Sequence, residues 1–480
     1  MKRVQLILWQ AVCVLTLVGA FPAAASRSVS PVFEAGLFIS RTASPLAPGS
    51  TRIRIAGPVA ERVQASSGRT FCALRPVAAA VRDPAAQTST THVLWPLLTS
   101  KRWGNDRSWN SALLIWGRDA DVQSATSQWS LIAFPVLAMG RTAEGTNYGA
   151  VFPLGGHLEE FAGWDEIDFV MFPLYSHSRQ GDLNTWNLFF PIISWTRAKD
   201  EARFRVFPLY GQAREPGIRR RFILWPLWNE AHYRAPQHEG YSFMLFPLFG
   251  RVNLDNQQSW MALPPLFRYT RAGDKREIMA PWPIVQIKRG GEDELTYVWP
   301  LWGVRNRPHF EKRFILWPLG AYERVERPPV TLTRRWFVPF YYHERQVEAG
   351  SGKDSPTVIE RHVRIWPLAT YQRSQDAMQF HMLELWPAAS VDAVERLYAP
   401  FWTLYSHERK GDASVDELLW GLFRRTRMKG EVNTSVFPLV SWGGTTDNTE
   451  KRWDVLKGLI RYEREAGVRR WRFLYFMRFE

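Results

Sequence analysis

Arg219-Arg220-Arg221-Phe222-Ile223-Leu224-Trp225-Pro226-Leu227-Trp228 returns almost word for word at Lys312-Arg313-Phe314-Ile315-Leu316-Trp317-Pro318-Leu319. Shorter copies stand at Phe207-Pro208-Leu209-Tyr210, Phe246-Pro247-Leu248-Phe249, Trp299-Pro300-Leu301-Trp302 and Phe437-Pro438-Leu439. The anchoring prolines run from Pro96 through Pro135, Pro153, Pro173 and Pro191 to Pro438, mostly about 17–21 residues apart. A fixed period of this kind signals an array of one structural unit. Polar clusters rich in Gly and Asp separate the apolar runs, among them Arg179-Gln180-Gly181-Asp182, Arg271-Ala272-Gly273-Asp274-Lys275 and Glu408-Arg409-Lys410-Gly411-Asp412. Such clusters supply the positive φ and the side-chain acceptors of tight turns.

Helix is the weaker reading of the runs. A proline in each would cost a helix about 3 kcal/mol, and Phe, Trp, Val and Ile favour strands. The expected fold is therefore all-β: a large antiparallel up-and-down meander with one strand per 17–21-residue repeat. Dividing the chain by that period gives about 20–24 strands, a number that closes into a barrel in outer membranes. Each proline then falls inside a strand, where it removes a ladder donor and calls for a bulge.

The N-terminus reads as a secretory signal over 1–25. Lys2-Arg3 precede the apolar run Leu6 to Phe21, and Ala23-Ala24-Ala25 offer the cleavage site. Residues 26–87 form a less regular lead-in, with a strand expected at Thr51-Arg52-Ile53-Arg54-Ile55-Ala56 and a linker or poor strand at Ala78 to Ala86. The repetitive domain spans 88–480. Beyond the signal only Cys72 remains, which excludes an internal disulfide and a thiolate zinc cluster. The net charge of +15 comes without any long basic tract, so it points to solvated turns rather than a nucleic-acid arm.

Alternation of strand side chains splits the repeat into two faces. Counted about the proline, one face carries Phe169, Tyr175, Phe204, Tyr210, Phe222, Trp228, Phe243, Phe249, Phe267 and Trp302. These are the candidate lipid-facing aromatics, set toward both ends of a band roughly 20 Å long at 3.3 Å per residue. The other face is apolar only beside the proline and turns small or polar further out. At the C-terminus Trp471, Phe473, Tyr475, Met477 and Phe479 occupy every second position. That pattern resembles the terminal strand signal of bacterial outer-membrane barrel proteins, with Glu480 following the last aromatic. The Trp-Pro-Leu and Phe-Pro-Leu array also resembles a group of uncharacterised, repetitive secreted proteins of Gram-negative bacteria. The resemblance to barrel proteins implies an outer-membrane location and dependence on barrel-assembly machinery, and the arginines flanking the strand cores, as at Arg334-Arg335 and Arg424-Arg425, suit outer-membrane lipid or lipopolysaccharide phosphates. Neither resemblance carries a catalytic residue.

No metalloprotease, nucleophile-elbow, phosphate-loop or dinucleotide motif is present, so no enzyme, cofactor, metal site or nucleic-acid partner is expected. Tyr175-Ser176-His177 and Tyr405-Ser406-His407 raise the reading of a serine nucleophile beside a histidine base, against rings that mark the wet end of a strand. Asp165-Glu166 with Asp168, and Asp119 with Asp121, lack a complete ligand spacing. The expected function is an outer-membrane barrel serving as pore, export or lipid-handling channel, or envelope scaffold. The alternative is a soluble secreted or periplasmic repeat protein that binds partners through its aromatic surface.

Overall fold

The computed structural model describes residues 33–34, 39–43, 46–47, 49–235, 238–349, 357–387, 390–447, 449–456, 459–465, 467–474 and 477–479. The expected signal segment and Tyr475 lie outside these residues. The chain is an all-β antiparallel meander with 46 short strands among the described residues. It divides into two compact units, one formed by 1–104 with 337–480 and the other by 105–336.

Each repeat period holds two strands, and this corrects the expectation of one. Between Pro208 and Pro226 the chain forms Tyr210–Glu215, turns, and returns as Ile218–Ile223. The strand number accordingly exceeds the expected 20–24. The proline sits in the turn between strands, as at Phe207-Pro208-Leu209 between Ala202–Val206 and Tyr210–Glu215. There its missing N–H costs no ladder bond. The peptide bond before the proline is cis at Pro208, Pro226, Pro247, Pro300 and Pro318, among others. Pro400 departs from this pattern and lies in a short helix.

Neighbouring proline turns are stitched together by their backbones. Trp225 N–H donates to the Pro208 carbonyl and Trp317 N–H to the Pro300 carbonyl, at 2.6 and 2.7 Å. Leu224 N–H donates to Leu209, and Leu263 N–H to Leu248, at 2.7 and 2.9 Å. The turns thus continue the sheet's hydrogen bonding to its very end.

Two turn lengths alternate irregularly. Val206 faces Tyr210 across three residues, whereas Ile223 faces Trp228 across four. The longer turns place Leu224, Met171, Phe189, Leu263 or Leu316 at positive φ, two residues before the proline. One extra residue reverses which face the preceding strand shows. Phe169 and Phe222 consequently lie on the face opposite Tyr175, Phe204, Tyr210, Trp228, Phe243, Phe249, Phe267 and Trp302. This corrects their assignment to one lipid-facing set.

The inner face of the 105–336 unit is lined by small side chains. Ser176, Asn187, Ser194 and Gly211 follow one another across adjacent strands, joined by Arg205 between the last two. Hydroxyl pairs bridge strands at Thr185–Thr196 and Ser259–Thr270, both at 2.9 Å. Glycines leave room for rings from the next strand. A Cβ at Gly211 would overlap the Phe222 ring, and one at Gly303 would overlap Phe314 and approach Tyr297. That requirement explains the aromatic-Gly pair that ends the Phe-Pro-Leu-Tyr-Gly and Trp-Pro-Leu-Trp-Gly copies.

The other unit has a different interior. Helix Asp392–Leu397, absent from the expectation, buries Ala393, Val394 and Leu397. Leu397 packs on Ala73 and Ala79, with Phe71, Trp95 and Tyr398 around them. The alanines of strands Thr70–Leu74 and Ala78–Asp83 let the helix approach closely. Tyr398 closes the contact by donating to the Trp95 carbonyl at 2.7 Å.

A barrel closes when tilt and stagger bring the first strand to the last. Among the described residues no such pairing occurs. Phe33–Glu34 pairs with Ile39–Ala43 and Met477–Phe479 with Val468–Phe473, and neither pairs across to the other. The C-terminal aromatics form this last hairpin, with Trp471 opposite Phe479 and Phe473 opposite Met477, instead of one continuous strand. No helix among the described residues is long and apolar enough to cross a membrane.

Candidate functional site

Most hairpins among the described residues have two unlike ends. At one end are two-residue polar turns such as Gly181-Asp182, Gly273-Asp274 and Gly411-Asp412, with the glycines at positive φ. At the other are the proline turns, whose side chains stand in solvent. Leu209 is 56% exposed, Leu248 59% and Trp225 49%, and Leu224, Leu227, Leu263, Leu266, Trp299, Leu301, Leu316 and Leu319 are exposed as well. Because the turns are hydrogen-bonded side by side, these residues form one row along the edge of the 105–336 unit. Each hairpin adds about 10 Å to it, two strands at 4.7–4.9 Å.

The row does not stop at the turns. The outer-face positions next to them are Ile193, Val206, Tyr210, Ile223, Trp228, Leu245, Phe249, Ala262 and Phe267, paired in that order across adjacent strands. Scattered exposed leucines are ordinary on a protein surface, but a continuous apolar row is not. The same turns recur in the other unit, where Leu94, Leu97, Leu368 and Leu439 are exposed.

Of the expected lipid-facing residues, the structure places Tyr175, Phe204, Tyr210, Trp228, Phe243, Phe249, Phe267 and Trp302 on this outer face. Phe169 is buried inside. Phe479 is 56% exposed at the terminal hairpin, beside Phe473 and Trp471.

A second feature is a buried ion network in the unit formed by 1–104 with 337–480. Arg54 donates to both Glu417 carboxylate oxygens at 2.9 and 3.0 Å, joining residues 363 apart in sequence. Arg424 approaches Glu417 at 3.6 Å. Glu61 receives Arg52 at 3.1 Å and Arg75 at 2.7 Å. Arg75, only 4% exposed, also donates to the carbonyls of Arg396 and Pro58 at 2.6 and 2.8 Å. Burial alone would push the Glu417 carboxyl up, but Arg54 and Arg424 outweigh it and hold the pKa at about 2. Burial likewise opposes Glu61, whose pKa is nonetheless lowered by Arg52, Arg54 and Arg75. A cavity of about 480 Å³ opens beside the network, lined in part by Glu395, Thr403 and Ser406. Burial raises the Glu395 carboxyl above its ordinary value, and Glu384 adds to that.

The serine-histidine reading fails on geometry. Ser176 points inward and accepts from Asn187 at 3.1 Å, while His177, the next residue, points to the outer face. Successive strand residues face opposite ways, so neither Ser176–His177 nor Ser406–His407 forms a nucleophile-base pair. His407 instead donates to Asp416 at 2.7 Å. Asp119 and Asp121 hold turns, accepting from Ser127 at 3.0 Å and from the Gln123 N–H at 2.9 Å.

Asp168 and Glu166 do meet partners, and these come from neighbouring strands. Across Gly155–Phe161, Trp164–Val170 and Tyr175–Gln180, the register aligns His157, Asp168 and His177 in one row. The next row holds Glu159, Glu166 and Arg179. His157 donates to Asp168 at 2.7 Å, and His177 to its other oxygen at 3.4 Å. Its own bond to Asp168 raises the His157 pKa against the opposing effect of burial, and a bond to Glu159 at 3.1 Å adds to it. His157 carried no signal of its own in the sequence, since it meets Asp168 only through strand register.

Neither the protein-family models nor the curated protein sequences include a match to this chain.

Proposed function

We propose that this protein is an envelope scaffold of a Gram-negative outer membrane that docks onto lipid through its proline-turn edge. The observation that carries the reading is the continuous row of exposed apolar turns, opposed by a polar edge on the same hairpins. Burying one leucine is worth about 1.5–3 kcal/mol, so a row of half-exposed leucines and tryptophans supplies ample driving force for adsorption. The net charge of +15 adds attraction to anionic lipid or lipopolysaccharide phosphates.

Docking suits the strand lengths better than spanning does. Most strands hold five or six residues, against the roughly 9–11 that a tilted membrane strand needs. The turns and the first outer-face positions instead match the ~5–10 Å immersion of an interfacial element. A lipid-handling or scaffolding role follows more readily than a water-filled pore, and the signal segment fits export to that compartment.

Flotation with vesicles of phosphatidylcholine and phosphatidylglycerol tests the proposal. The unaltered chain is expected to float with the vesicles. Combined Leu209→Glu, Leu227→Glu and Leu248→Glu substitution is expected to leave it in the soluble fraction. Gln180→Glu with Lys199→Glu lowers the net charge by the same three units, 1 + 2, at the polar ends of the hairpins, and is expected to float normally. A chain that remains free of vesicles, or equal loss in both variants, contradicts docking by this edge and favours the soluble partner-binding alternative.

A further inference from the structure

We infer that His157, Glu166 and Asp168 form a binding site for one divalent transition-metal ion on the outer face of the 105–336 unit. One ligand atom from each of the three lies within 4.8 Å of the others. His157 Nδ1 is 2.7 Å from an Asp168 oxygen and 3.8 Å from a Glu166 oxygen. Tetrahedral coordination with bonds near 2.0–2.1 Å separates ligand atoms by about 3.3 Å, so each of these two distances needs an adjustment of roughly half an ångström to admit an ion.

The arrangement around the three ligands is what distinguishes them from an ordinary charged patch. Each has its own outer partner. Glu159 accepts from His157 Nε2 at 3.1 Å, which turns Nδ1 toward the centre. Arg179 holds the far oxygen of Glu166 at 2.9 Å. His177 holds the second oxygen of Asp168 at 3.4 Å, and its ring stacks on Trp186 with centroids 5.1 Å apart. A carboxylate behind a ligating histidine and donors behind ligating carboxylates are the features that orient metal ligands.

Charge favours the same occupant. Glu159, Glu166 and Asp168 bring three negative charges, and Arg179 returns one positive charge. In the metal-free chain the His157 Nδ1 proton fills the gap between the imidazole and Asp168. On binding, the ion takes that place and the proton leaves to solvent. One nitrogen with two carboxylate oxygens suits Zn²⁺ and its first-row neighbours, whereas Ca²⁺ takes oxygen ligands only. His157 is 37% exposed along its side chain, which leaves an entry path and an open coordination position. Neither requires docking to lipid, so this site stands or falls independently of the apolar edge.

The test is calorimetric titration of the full chelator-treated chain, freed of any affinity tag, with Zn²⁺ and separately with Ca²⁺. One equivalent of Zn²⁺ is expected, with Ca²⁺ bound far more weakly. His157→Gln and Asp168→Asn are expected to weaken Zn²⁺ binding by at least about a hundredfold, and Glu159→Gln by about 10–100-fold, the range for outer-shell partners. His407→Gln breaks another His–Asp pair that lacks the third ligand, and is expected to leave Zn²⁺ binding unchanged. Electron paramagnetic resonance of Cu²⁺ bound to the unsubstituted chain gives a reading that no variant's folding affects, and coupling to one imidazole nitrogen is expected. Absence of stoichiometric Zn²⁺ binding overturns the site. So does equal binding of Ca²⁺, retention of Zn²⁺ by folded His157→Gln, or a Cu²⁺ spectrum without nitrogen coupling.

Discussion

The two units use the same hairpin but hold it together differently. In the 105–336 unit each strand leans on its neighbours, through hydroxyl pairs such as Ser259–Thr270 and rings seated over glycines such as Phe314 at Gly303. In the unit formed by 1–104 with 337–480, Arg54 and Glu417 tie together strands 363 residues apart, and helix Asp392–Leu397 covers the alanine-rich strands. Nearest-neighbour stacking makes stability nearly additive along an array, whereas long-range clamps make it cooperative. The repeat by itself builds a sheet, and one unit adds a lock.

The largest expected effect is on the lock. Glu417→Ala leaves Arg54 and Arg424 facing a buried site without their shared carboxylate, and should destabilise that unit by about 3–5 kcal/mol. Segment-resolved hydrogen exchange should report the loss around Arg54 and Arg424 and little change between 105 and 336. Equal loss in both units would show that the clamp is not confined to one of them. Leu397→Ala removes a fully buried side chain from the helix contact and should cost about 2–5 kcal/mol in the same unit, read as a lowered unfolding midpoint. Gly303→Ala probes the other construction. Its added methyl group meets Phe314 and Tyr297, and should cost about 1–3 kcal/mol with exchange confined to the neighbouring strands.

Acid separates the units more gently. Glu417 and Glu61 have depressed folded-state pKa values, so their contribution is complete above the unfolded-state value near 4.5 and is lost below it, that of Glu417 as pH falls through about 2. Exchange in the locked unit should therefore rise first as pH drops through this window. Simultaneous loosening of both units would place the stabilising charges elsewhere.

Much of this fold was legible in the residues. Gly181-Asp182, Gly273-Asp274 and Gly411-Asp412 mark their turns by composition, and the β character of the apolar runs follows from their proline and aromatic content. The reversal at each proline was not legible, because hydrophobicity runs unbroken from Phe222 through Trp228 while the chain folds back. The face assignment failed at Phe169 and Phe222 for a related reason. Their turns hold one extra residue, at positive φ, and that residue is Met171 or Leu224 rather than the usual Gly or Asn. Helix Asp392–Leu397 is only six residues long and was hidden within the repeat. The Arg54–Glu417 pair and the meeting of His157 with Asp168 depend on tertiary contact and strand register, which spacing in one sequence does not encode.

Both units carry the same apolar turns, and docking requires those turns to face lipid. Spin labels provide the most direct measurement, placed one at a time at Leu227→Cys and Gly273→Cys in a chain with Cys13 and Cys72 replaced by Ala. Accessibility to oxygen and to a water-soluble nickel complex then gives the depth of each label in vesicles. A label at position 227 should lie about 5–10 Å below the headgroup boundary, and one at position 273 should remain in water. A position 227 label that stays in water, or labels at opposite surfaces of the bilayer, would contradict docking by the proline-turn edge.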